Sequence, residues 1–335
     1  MVRKAGKEMS KDRVAVVGVG NVGATTVYAL LLSGLAPEIV LINRDRNKAE
    51  VEAEDISHAE LWSHTTLVRA GGFEDCASAT VTVVAVGAGL KPGETRLDLL
   101  KKNAAIFRDW IPKIAATNPK GILLIATNPV DALTHYARKL SGFEPSRVVG
   151  SGTILDTARL RVLLGNHYGV DPQSVHAYII GEHGDSQVPV WSAATIAGLP
   201  IEEFCRVRGV AYDKAALDEM ALRTRNAYYR IVGEKGATFY GIASGLVRVL
   251  RCILRDQNTV LTVGSQMPEV LGFGDVTMSF PTIVNARGIG GVVPLNLDPV
   301  EHEALTSSAE GIQRQIAVIE EATTVASRSP SATLA

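Results

Sequence analysis

The stretch VAVVGVGNVGATTVYALLLSGL, Val14 to Leu35, constrains the fold more than any other part of the chain. An apolar, β-branched run meets Gly18, Gly20 and Gly23 in GxGxxG spacing, and a helical pattern follows at once. Gly18 permits a tight turn out of a strand, Gly20 lets the backbone approach a pyrophosphate, and Gly23 lets the helix lie close to the sheet. The first helical amides, at Asn21 and Val22, then face the anion. The alternative is a tight turn with no ligand. Agreement of strand, spacing and helix favours the dinucleotide.

The alternation continues. EIVLIN, TLVRA, VTVVAV and GILLIA are further strand-like runs, with helical patterns to about Ser33 and from Asp45 to about Glu60. This predicts an α/β fold of Rossmann type, a doubly wound parallel sheet with helices on both faces. VTVVAV and GILLIA are apolar throughout, as central strands buried on both sides must be. After about Gly150 the rhythm changes to a mixed α+β pattern. Helices are expected over Thr153 to Leu164, Asp213 to Val232 and Phe239 to Arg255, with strands over Ser174 to Ile180, TVLTVGS and VTMSFPTIV. A last helix begins at Asp298, with Pro299 at its first position and Glu301 three residues beyond the cap. The division is therefore a dinucleotide-binding domain over 12–150 and a substrate domain over 151–325. The polar, aperiodic stretches 1–11 and 326–335 read as disordered tails.

Bulk properties narrow the partners. A net charge of −1 over 335 residues offers no global field to hold nucleic acid or an anionic membrane. No apolar run approaches the roughly 20 residues needed to span a bilayer. Three cysteines at no metal-like spacing fit reduced thiols, so a cytoplasmic protein without a metal site is expected.

After the second strand, an acidic residue usually binds the adenosine ribose hydroxyls. Here that position is Asn43, followed by Arg44, Arg46 and Lys48. An amide still accepts a hydrogen bond but no longer repels a 2′-phosphate. NAD is the first expectation and NADP the alternative, with Arg44 the nearest cation. Thr127 and Asn128, in ATNPVD after GILLIA, fall at the carboxyl edge of the sheet, where open α/β sheets bind ligands.

Two motifs carry possible chemistry. GEHGDS sets His183 in a polar loop after a strand, suited to proton transfer near neutral pH or, equally, to a turn. In GTILDTARLR, Asp156 and Arg159 share one helix face, a spacing also met if they simply pair with each other.

The motifs VVGVGNVG, PGETR, ATNPVD, GSGTILDTARLR and GEHGDSQVPVW, in this order, resemble the lactate/malate dehydrogenase family, in particular its bacterial L-lactate dehydrogenases. The resemblance runs from about Val14 to Ala322. It implies reversible hydride transfer between a nicotinamide cofactor and a 2-hydroxy or 2-oxo acid, with L-lactate and pyruvate first. It also implies roles: His183 as proton donor and acceptor, Asp156 as its orienting carboxylate, and Arg159 as the fork that holds the substrate carboxylate. Arg96, on a loop, matches the arginine that polarises the ketone. Asn128 and Thr238 match substrate-site residues. Arg161 and His176 match positions that bind fructose 1,6-bisphosphate in allosteric members, and on their own are equally plain interface or surface residues. A homotetramer or homodimer is implied too.

Two positions depart from the family pattern. In GAGLKPGETR, Leu90 stands where lactate-specific members usually carry glutamine and malate-specific members arginine. Malate would leave a carboxylate unpaired there, at a cost of several kcal/mol. Leucine suits pyruvate or a bulkier 2-oxo acid. Together, Leu90 and Asn43 raise the alternative of a changed substrate or cofactor preference. A dinucleotide-binding protein without catalysis has no use for His183, Asp156, Arg159 and Arg96 together.

Overall fold

The computed structural model describes residues 12–89 and 93–328, with side chains through 322. The 1–11 tail and Leu90 lie outside the described residues. The first half alternates as its sequence predicts: β1 (Arg13–Val17), α1 (Asn21–Ser33), β2 (Glu38–Ile42), α2 (Arg46–Ser57), β3 (Leu67–Gly71), β4 (Ala79–Val84), α3 (Arg96–Thr117), β5 (Ile122–Ile125), α4 (Val130–Ser141) and β6 (Val148–Gly150). The second half adds α5 (Ile154–Tyr168), β7 (Val175–Ile180), β8 (Val188–Ile196), β9 (Leu199–Pro200), α6 (Ile201–Arg208), α7 (Lys214–Lys235) and α8 (Tyr240–Leu254). It ends with β10 (Thr259–Gln266), β11 (Thr277–Asn285), β12 (Gly288–Val292) and α9 (Pro299–Arg328).

Strands β1 to β6 pair in parallel in the spatial order β3-β2-β1-β4-β5-β6. Strand order reverses between β1 and β4, so a crevice opens at their carboxyl ends. The strands bury both faces. Ala15, Val17, Val40 and Ile125 pack with α3, α4 and α9 through Phe107, Ile111, Leu133 and Ile312. Val14, Val16, Leu41 and Leu124 pack with α1, α2 and α8 through Leu30, Leu31, Ala49 and Leu250. Each fully buried side chain of this size contributes about 1.5–3 kcal/mol.

The second half shows the expected mixed character, with one addition that no pattern in the sequence announces. Strands β10, β11 and β12 run antiparallel and extend the first sheet through a Gly264 to Gly150 pairing. A separate three-stranded sheet, β7-β8-β9, packs with α5, α6 and α7 around Leu160, Ile179 and Phe204. Helix α9 starts as read: the Glu301 amide donates to the Asp298 carboxylate at 2.8 Å, and the Asp298 amide donates back to Glu301 at 3.1 Å. It continues through Ala326 to Arg328, into the stretch read as a tail.

Candidate active site

The cofactor end is built from one short turn. Gly18 has φ +99° and donates its amide to the Ile42 carbonyl at 2.8 Å, locking the end of β1 to β2. A Cβ on Gly23 would lie 1.8 Å from the Gly18 carbonyl oxygen, so only glycine lets α1 start this close to the turn. At Gly20, the N-cap of α1, a Cβ would meet nothing within 4 Å. Space is therefore open beside the turn that leads into the Asn21 and Val22 amides, while the Val22 side chain packs against the core below. A helix N-terminus facing open space at the switch of strand order fits a pyrophosphate.

At the end of β2, Asn43 donates its amide to the Asp45 carbonyl at 3.1 Å, which leaves its oxygen as acceptor. Arg44 is exposed, Arg46 pairs with Glu50 at 3.0 Å, and Asp45 caps α2. Thr127, buried after β5, donates to the Val86 carbonyl at 2.7 Å, and Asn128 is exposed beside it.

The second cluster gathers residues from far apart. Thr153, buried, donates its hydroxyl to the Ile179 carbonyl at 2.5 Å, joining the head of α5 to β7. That joint sets Asp156, in the first turn of α5, under the loop that follows β7. The His183 Nδ1–H donates to Asp156 at 2.5 Å, and Arg159 Nη1 donates to the other oxygen of the same carboxylate at 3.1 Å. The pairing of Asp156 with Arg159 thus exists, yet it does not exhaust either residue. Among the described contacts, only Nη1 of the guanidinium is engaged.

The histidine loop is held by three further elements. Gly181 exchanges backbone bonds with Ser279 of β11 at 2.8 and 3.0 Å. The His183 amide donates to Asp131 of α4 at 2.7 Å, and the Glu182 amide donates to Ser308 of α9 at 2.9 Å. Gln315 of α9 donates to the Glu182 carboxylate at 2.7 Å. With Nδ1 engaged and the ring a quarter exposed, Nε2 is the nitrogen left for a substrate.

The charges tune one another. Burial by itself disfavours charge on His183, but the Asp156 carboxylate, through its charge and hydrogen bond, outweighs that and raises the imidazole pKa. Burial would likewise raise Asp156, and the charge and hydrogen bond of His183, with Arg159, bring it below the ordinary carboxylate range. Asp131 is different: burial pushes it up to about 7, against the pull of the His183 amide.

Other expected positions are scattered. Arg96 is not on a loop but opens α3, because Thr95 and Asp98 form a reciprocal cap, each bonding the other's amide. Its guanidinium pairs with Asp185 at 3.0 Å and meets the Tyr229 hydroxyl. Thr238 sits in the short connection between α7 and α8. Arg161 donates to the Gln173 carbonyl at 3.3 Å, just before β7, on which His176 is exposed. No sequence motif assigns a role to Asp131, Asp185 or Tyr229. Asp131 lies within ATNPVD itself, but only folding reveals that it meets a residue 52 positions away.

A dinucleotide turn at the switch point and a histidine-carboxylate pair across the same crevice define a nicotinamide-dependent oxidoreductase built on a Rossmann domain. Family comparisons make this particular. The lactate/malate dehydrogenase NAD binding domain matches residues 12–150, and the lactate/malate dehydrogenase alpha/beta C-terminal domain matches residues 153–323. The chain belongs to the lactate/malate dehydrogenase family. It is 50% identical over 301 residues to an L-lactate dehydrogenase of Thermus aquaticus, covering 89% of this chain and 96% of that one. A probable L-lactate dehydrogenase of Schizosaccharomyces pombe is 48% identical, with 91% and 92% covered. Among solved structures, a lactate dehydrogenase from a Medee basin deep-sea metagenome library superposes with a TM-score of 0.89 at 37% identity, covering 92% of this chain and 99% of that one.

Proposed function

We propose that this chain interconverts pyruvate and L-lactate, using NAD. The observation that carries the reading is the single carboxylate of Asp156, which engages both the His183 imidazole and the Arg159 guanidinium. It sets a proton donor and a carboxylate fork side by side at the mouth of the crevice. When bound, the reduced nicotinamide supplies a hydride to C2 of the oxo acid. The chain does the rest: Arg159 grips the carboxylate, Asn128 and Thr238 border the substrate, and His183 Nε2 delivers a proton to the C2 oxygen. Asp156 stabilises the imidazolium before that transfer, and the reverse reaction returns the proton to His183. Arg96 acts on the oxygen as negative charge grows there, so its contribution is larger in the transition state than in the ground state. Gly18, Gly20, Gly23, Asn21, Val22, Asn43, Thr127 and Asn128 hold the dinucleotide.

A second reading has support in three residues. Leu90 offers an apolar contact suited to a bulkier 2-oxo acid, and Asn43 with exposed Arg44 admits NADP. The test measures kcat/KM for a panel of 2-oxo acids with NADH and NADPH. Pyruvate with NADH is expected to be preferred. Preference for oxaloacetate would overturn the reading of Leu90, and preference for NADPH would reassign the cofactor.

The same reading includes a homotetramer or homodimer in the cytoplasm, with Arg161 and His176 either binding fructose 1,6-bisphosphate as an effector or serving as plain interface or surface residues. Leu61 and Trp62 are 79% and 83% exposed, large apolar surfaces that a second copy would cover. All three cysteines are free and buried, in keeping with a reducing compartment. No described helix is long and apolar enough to cross a membrane.

A further inference from the structure

Asn103 lies on α3, two turns beyond Arg96, and is 1% exposed. Its side-chain oxygen accepts the Ala88 amide at 2.7 Å, and its nitrogen donates to the Asn128 carbonyl at 2.8 Å. Few side chains meet this demand. An amide carries a donor and an acceptor on one short planar group, whereas a carboxylate has no donor and an aliphatic side chain has neither. Without the Asn103 amide both part-buried bonds are lost together, and with them the direct tie of α3 to the two backbone groups.

Three separate segments therefore meet at one side chain: the helix that begins with Arg96, the segment that leaves β4, and the turn that presents Asn128. Among the described residues, the segment that leaves β4 and the turn that presents Asn128 also meet directly, through the Thr127 hydroxyl on the Val86 and Val84 carbonyls, whereas α3 joins both of them here through Asn103. Further along α3, Phe107 and Ile111 anchor the helix in the core independently of Asn103.

We propose that Asn103 is a positioning residue. It sets the helix that carries Arg96 at a fixed offset from the turn that carries Asn128, and so fixes the two groups that address the substrate oxygen relative to each other. This rests on the roles given above to Arg96 and Asn128. Displacement of a reacting group by about 1 Å can cost about a hundredfold in rate, so the tie matters even though Asn103 touches no substrate.

The test is a double-mutant cycle on pyruvate reduction, with NADH affinity measured by fluorescence quenching and thermal stability measured alongside. Asn103→Asp keeps the shape and the acceptor for Ala88 but turns a carboxylate toward the Asn128 carbonyl; Asn103→Leu removes both bonds. Each is expected to lower kcat by at least about tenfold, with NADH affinity changed less than about threefold. In an Arg96→Ala background, the same substitutions should cost several-fold less, because part of what they misplace is already gone. Equal losses in both backgrounds, or losses of kcat and NADH affinity in parallel, mark a structural role and overturn the proposal. Native kcat in either folded variant does the same. If Asn103→Leu does not fold, the isosteric Asn103→Asp carries the cycle. An Arg96→Ala enzyme with native kcat would sink the role of Arg96 itself, an outcome distinct from failure of the tie.

Discussion

The two ends of the crevice are built by opposite means. The proposed cofactor end is one continuous turn in which backbone would do the binding: Gly18, Gly20 and Gly23 lie within six residues, and their value is the side chain they lack. The proton-transfer end is made of side chains brought in from α4, α5, the loop after β7, and α9. Binding an anion with amides needs only local geometry. Setting the protonation state of a histidine needs charges whose distances no local segment can fix.

Substitutions can break that contrast. The largest effect is expected at the side-chain end: His183→Asn should lower kcat for pyruvate reduction by about a thousandfold or more, within the range ascribed to general acid catalysis, with NADH affinity unchanged. Stopped-flow turnover and fluorescence titration check it; undiminished turnover would remove the histidine from the chemistry. At the backbone end, the two glycines should separate. Gly23→Ala forces a Cβ onto the Gly18 carbonyl and should destabilise the fold by about 1–3 kcal/mol in urea unfolding. Gly20→Ala meets open space at an ordinary φ of −84°, so stability should hold within about 0.5 kcal/mol while NADH affinity falls. If Gly20→Ala unfolds the protein as readily as Gly23→Ala, the division of labour between them is wrong.

The smallest effect is a shift rather than a loss. With His183 as the proposed proton donor, the rate of reduction should fall as pH rises through the raised imidazole pKa, and lactate oxidation should rise over the same interval. Asp156→Asn removes the charge that raises that pKa and leaves the burial that lowers it. Both limbs should then move to lower pH in profiles of kcat/KM. A profile that stays in place would mean that Asp156 orients the ring without tuning its charge.

Legibility in the sequence follows the same contrast. The glycine turn, the buried parallel strands and the Asp298–Pro299–Glu301 helix start depend on neighbours a few residues apart, and each is plain in the chain. The cap that makes Arg96 the head of α3 was equally local, in Thr95 and Asp98, but the glycines before it suggested a loop. Asp131 and Asn103 were beyond reach for another reason. Each acts on backbone brought close only by tertiary structure, and an aspartate or asparagine within a helix looks the same in sequence whether it serves a distant loop or solvent. The antiparallel extension through Gly264 and Gly150 was hidden likewise, since strand-like runs do not state which sheet they join.

The support that α9 gives to the histidine loop also has a bearing on biosynthesis. Ser186 and Ser308, joined at 3.0 Å, are 122 residues apart in the chain. A ribosome that has already released the dinucleotide turn and the histidine loop must therefore extrude a long further stretch before that loop gains its last polar partners. The same helix adds Ile312 to the core that holds Ala15 and Val17 of β1, so the sheet that carries the dinucleotide turn and the loop that carries His183 are both completed by one element made last.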